Sequence, residues 1–98
     1  MLIRIVKMTF QEDKVNDFIT FFDQFKSKIR NVKGCTYLQI LQDQSSPNII
    51  FSYSHWEKVT DLDNYRQSEL FKKIWPTTKE YFADKPEVWS TNILHDLP

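Results

Sequence analysis

The longest periodic run of apolar positions predicts a helix over residues 13–31 and ends just past it at Val32. Val15, Phe18, Phe22, Phe25, Ile29 and Val32 recur at steps of three and four, which places them on one side of an α-helix, and Ile19 and Phe21 widen the stripe. Asp17, Gln24, Lys28 and Arg30 take the opposite side. Acidic Glu12 and Asp13 sit where the helix is electropositive, basic Lys26, Lys28 and Arg30 where it is electronegative, and Gly34 follows as the expected stop. Three strands flank this helix. Leu2–Thr9 carries Ile3, Ile5, Val6 and Met8 with Arg4 and Lys7 among them, and Cys35–Gln42 carries Tyr37, Leu38, Ile40 and Leu41. After a polar turn at 43–48, Ile49–Trp56 alternates, with Ile49, Phe51, Tyr53 and His55 on one face and Ile50, Ser52, Ser54 and Trp56 on the other.

A second helical region starts near Thr60, a candidate N-cap, and holds Leu62, Tyr65, Leu70, Phe71, Ile74 and Trp75 at helical spacing. Ser68-Glu69 marks an interruption or a re-capping, and Pro76 a kink or a new first turn. A last strand is expected over 88–94, with 95–98 as a loose tail. The order strand, helix, strand, strand, helix, strand is that of an α+β, ferredoxin-like split βαβ domain with a four-stranded antiparallel sheet. It accounts for residues 1–98 as one domain. Its helices cover one sheet face, and an isologous homodimer that stacks two sheets is the economical cover for the other.

Composition narrows the function classes. Thirteen Lys and Arg balance thirteen Asp and Glu, which leaves no basic footprint for nucleic acid. The chain has no apolar run of membrane-spanning length and no signal-peptide pattern at its start, so a cytoplasmic domain without a membrane partner is expected. One Cys and two scattered His exclude an internal disulfide and speak against a metal site. A single Gly cannot build a phosphate cradle, and Gly-x-Ser-x-Gly is absent. Three Trp, four Tyr and eight Phe exceed what the helix stripe needs, which raises the question of what the remaining rings surround.

Three segments carry a resemblance over nearly the whole chain: Val32-Lys33-Gly34-Cys35 after the long helix, Tyr53-Ser54-His55-Trp56-Glu57 closing the third strand, and Tyr65-Arg66-Gln67-Ser68-Glu69-Leu70-Phe71 in the second helical region. Together and in this order they resemble the antibiotic biosynthesis monooxygenase domain of the dimeric α+β barrel superfamily. That resemblance implies a homodimer and a cofactor-independent monooxygenase acting with O2 on a small aromatic or quinol-like substrate. The departures are informative. Matched on Trp56 and Phe71, the chain has Ser54 where members often carry Glu, and Tyr65 and Leu70 where they carry His. The Asn, Trp and His of haem-degrading members fall near Val6, Tyr65 and Trp75, so haem degradation is not expected, and no cofactor is implied.

On this reading Phe51, Tyr53, Trp56, Phe71 and Trp75 line a substrate pocket. His55 and Tyr65 are the candidate catalytic groups, His55 as a base and Tyr65 as a donor to a ligand oxygen. Each also has a plain structural role open to it, as a core or interface side chain, and Cys35 reads as a buried thiol. A small-molecule binder without catalysis, or a purely structural dimer on the same scaffold, stands as the alternative.

Overall fold

A computed structural model describes residues 1–98. Strands β1 (Leu2–Thr9), β2 (Cys35–Gln42), β3 (Ile49–Trp56) and β4 (Glu87–Thr91) form one antiparallel sheet in the order β2-β3-β1-β4. Helices α1 (Val15–Asp23) and α2 (Lys26–Arg30) link β1 to β2, and α3 (Val59–Arg66) and α4 (Glu69–Glu80) link β3 to β4. This is the α+β, ferredoxin-like arrangement. The first three strands have the bounds expected from their alternation. The last is shorter than expected: β4 pairs with Ile3–Lys7 of β1, and beyond Thr91 too little of β1 remains to pair with.

The long helix divides in two after a 3-10 turn over Glu12–Lys14. At the division the Gln24 and Phe25 amides donate to the carbonyls of Phe21 and Phe22, three residues back, at 3.2 and 2.9 Å. Beyond this tightened turn Phe25 and Ile29 are buried; in the first segment Ile19, expected within the apolar stripe, is 46% exposed. In the second region α3 starts at Val59, so Thr60 lies inside the helix, and Lys58 precedes it in extended conformation without a side-chain cap. The first turn of α3 is instead anchored by buried Asp61, whose carboxylate lies near the electropositive helix end. Gly34, at φ +88°, faces it: a Cβ on Gly34 would collide with the Asp61 side chain. Ser68 does re-cap the chain. Its Oγ accepts from the Phe71 amide (3.2 Å) and donates to the Tyr65 carbonyl (2.6 Å). Helix α4 continues through Pro76, which starts no new helix; a proline there withholds a single backbone donor.

Twelve of the thirteen buried apolar residues form three separate groups on the helix side of the sheet, and Ile3, paired with His55 on the outer face, is the exception. Met8, Phe10, Val15, Phe18 and Ile50 make one; Leu2, Cys35, Trp56 and Leu62 a second; Phe25, Ile29 and Ile74 a third. A domain of this size usually has one contiguous core. A cavity lined by members of all three lies between them.

Candidate functional site: an aromatic cavity between sheet and helices

Strand register dictates what faces the helices. Cross-strand rungs on that side read Leu38-Ser54-Arg4-Ser90, then Ile40-Ser52-Val6-Val88, then Gln42-Ile50-Met8. Two adjacent central positions of β3 are therefore serine, where a half-buried strand usually carries branched or aromatic side chains. The helices rest on the larger residues around them and cannot close onto these small ones. The result is a cavity of about 350 Å³, within the size range of small-molecule sites. Phe18, Phe22 and Ile29 wall it from α1 and α2; Leu62, Tyr65 and Arg66 from α3; Phe71, Ile74, Trp75 and Thr78 from α4. Among its lining residues, Val88 of β4 is 40% exposed and Arg66 of α3 is exposed.

A continuous series of rings runs along one side. Trp56 stacks on Tyr65 (centroids 5.3 Å apart, planes at 25°), Tyr65 meets Phe71 edge-on (5.2 Å, 80°), and Phe71 stacks on Trp75 (5.7 Å, 19°). Such offset and edge-on pairs reinforce one another beyond their buried area. Trp56 is 1% exposed, and its indole N–H donates to Ser54 Oγ at 2.9 Å, which satisfies the one polar group such a burial would strand.

Three of the expected pocket residues, Trp56, Phe71 and Trp75, and the candidate catalytic Tyr65 line one cavity. Phe51, Tyr53 and His55 do not. Their register partners Lys7, Ile5 and Ile3 lie on the opposite face, and the sheet separates them from the cavity. The cause is the two-residue period of the strand: even-numbered positions of β3 face the helices, odd-numbered ones face away. On that outer face Tyr37, Tyr53 and His55 form their own cluster, with the His55 ring 5.0 Å from Tyr37 and 5.2 Å from Tyr53. His55 Nε2 is buried there without a hydrogen-bond partner. The expectation of His55 as a base for a ligand in this cavity is therefore not met by the geometry.

Burial, with a smaller contribution from Cys35, pushes the Tyr65 hydroxyl well above its ordinary value. It stays protonated at neutral pH and acts as a donor rather than a base. The raised value also has a stability consequence. Above about pH 10 the unfolded chain ionises at Tyr65 while the folded chain holds its proton. Folded stability should then fall by up to about 1.4 kcal/mol per pH unit on account of Tyr65, and this share of the alkaline loss should be missing in Tyr65→Phe, where only the share due to the raised Cys35 thiol remains. Urea unfolding of both proteins between pH 9 and 11 measures it. Burial likewise raises the Cys35 thiol, consistent with an inert side chain.

Arg4, Arg66, Ser52 and Ser54 line the cavity and were not among the expected pocket residues. The signal for Arg4 lies in the parity of β1: Leu2, Arg4, Val6 and Met8 share one face, so a cation interrupts a row that points into the core. The paired serines of β3 carry the same kind of signal. Arg66 has no comparable mark.

The family model described as antibiotic biosynthesis monooxygenase matches residues 1–76. The chain belongs to this family. Among solved structures, a conserved protein from Methanosarcina mazei Go1 is 24% identical, with 93% of this chain and 91% of that one covered and a TM-score of 0.86. A crystal structure of an antibiotic biosynthesis monooxygenase is 17% identical, with 97% and 100% covered and a TM-score of 0.90. Rv0793 from Mycobacterium tuberculosis is 13% identical, with 99% and 98% covered and a TM-score of 0.88. These likenesses establish the antibiotic biosynthesis monooxygenase fold. A search of curated proteins found no match. No helix is long and apolar enough to cross a membrane.

Proposed function

We propose that the cavity binds a small, flat aromatic substrate and that the protein oxygenates it with O2, without a cofactor, as its family name suggests. The observation that carries this reading is the set of rings from Trp56 through Tyr65 and Phe71 to Trp75 along a cavity of about 350 Å³. An anthrone-like or quinol-like guest that has released its acidic proton to bulk solvent enters as an electron-rich anion, and a proton from solvent returns to the peroxide that forms from it. That anion passes electrons to O2, and carbon and oxygen recombine to a peroxide. Loss of water then turns a CH2 group into C=O, one oxygen atom entering the product and the other leaving as water. The substrate is the only reductant. The chain's own residues bind and orient the ring, exclude water, and donate from the Tyr65 hydroxyl to the substrate oxygen on which charge develops. The test is oxygen uptake with matched product formation on a panel of anthrones and quinols. Uptake above buffer is expected for at least one compound; none across the panel overturns the catalytic step.

A second reading, a binder on the same scaffold, is favoured by the lining itself, which contains no carboxylate and no imidazole to take a proton. Under it, panel compounds raise the melting temperature without turnover.

We also propose that two copies stack through their outer sheet faces. Tyr37, Leu41 and Trp89 are 41%, 44% and 45% exposed on that side, beside the unpartnered nitrogen of His55. Sedimentation at micromolar concentration should give twice the chain mass of 11.8 kDa; a single-chain mass overturns the stacking.

A further inference from the structure

The cavity is lined mostly by apolar side chains, with serines on its floor, and two arginines, Arg4 and Arg66, share its wall. Arg4 sits mid-strand in β1 between Ser54 and Ser90, and its Nη1 donates to Ser90 Oγ at 2.8 Å. Arg66 comes from the last turn of α3, where helix polarity favours a cation. Neither arginine has a carboxylate within ion-pair distance: the ion pairs of the chain are Lys7–Glu87, Lys14–Asp17, Lys26–Asp23 and Lys72–Glu69. Burial, and then Arg66, hold the Arg4 guanidinium below its ordinary value, with the nearby Asp63 opposing them. Two cations that share one cavity wall, with no carboxylate in ion-pair distance and only Asp63 nearby, leave that wall positive. They suit a ligand that supplies the missing negative charge.

We infer that the cavity takes a flat aromatic oxyanion, its ring among Trp56, Tyr65, Phe71 and Trp75 and its anionic oxygens between Arg4 and Arg66. This rests on the proposed aromatic-binding role of the cavity and adds the charge of the guest to it. It also answers the lack of a base in the lining: a guest that arrives ionised, or is held ionised by two cations, needs no protein group to deprotonate it.

The experiment compares 2-naphthoate with 2-naphthamide, nearly the same shape with and without the charge, by isothermal titration calorimetry. The carboxylate should bind about tenfold or more tightly than the amide, and its advantage should shrink as salt is raised. Arg66→Met and Arg4→Met should each remove about tenfold of naphthoate affinity and leave naphthamide unchanged. Arg66 is exposed, so its variant is a readout independent of folding; thermal melts check that of Arg4. Equal affinity for the two compounds, with no effect of either substitution, overturns the inference and leaves the aromatic pocket standing. Binding of neither compound overturns both.

Discussion

The Ser52→Phe variant is expected to lose affinity for 2-naphthoate by about a hundredfold or more, equivalent to roughly 2.7 kcal/mol of binding free energy, while its fold is retained. Ser52 lies on the cavity floor, with Val6 and Ile40 as its cross-strand neighbours. A ring at this position would occupy the guest's space. The usual objection to such an enlargement is overpacking. Here the ring enters a cavity of about 350 Å³, so it finds room. Phe suits a strand better than Ser, and burying its ring should raise stability by about 1–2 kcal/mol. Calorimetric titration and urea unfolding on the same preparation give the two numbers. Retained affinity would show that aromatic ligands bind elsewhere on the protein.

Trp56→Ala is expected to have the largest effect on stability. Trp56 is the centre of the group with Leu2, Cys35 and Leu62, stacks on Tyr65, and is sealed from solvent. Truncation removes that packing next to an existing cavity, which leaves little prospect of collapse around the gap. A loss of about 4 kcal/mol is expected, within the range for large aromatic truncations. For a domain of this length that corresponds to a fall of about 15–30 °C in Tm. Trp56→Phe separates packing from hydrogen bonding. It keeps most of the apolar surface, loses the donor to Ser54 Oγ, and should cost about 1–2 kcal/mol. Thermal melts of the three proteins are the measurement, and equal Tm values for the alanine variant and the parent would refute a packing role for Trp56.

How much of this was legible in the sequence depends on whether the deciding interaction was local. The bounds of β1, β2 and β3 could be read because alternation and turn residues are properties of neighbouring positions. The parity of β3 was legible too: Ser54 and Trp56 on one face, Tyr53 and His55 on the other. Applied strictly, it separates Tyr53 and Phe51 from Trp56, as the structure does. The division of the long helix at Phe25 was hidden, because apolar spacing of three and four is compatible with either a straight helix or a tightened turn. The start of α3 was hidden for a different reason. Asp61 is buried against Gly34, distant in sequence, and the helix begins at Val59, before the candidate cap Thr60. The cavity followed the same rule. Its aromatic wall could be expected from residue types, whereas the meeting of Arg4 with Arg66 depends on how α3 lies over β1.

The serine pair in β3 has a consequence for anyone who wishes to redesign this protein. Side chains at 52 and 54 shape the interior hollow, and the intervening 53 and its odd-numbered companions face outward. A combinatorial library confined to the two even positions would therefore remodel the chamber and leave the exterior of the sheet chemically untouched. Selectivity and surface behaviour can be tuned on separate dials within one eight-residue segment.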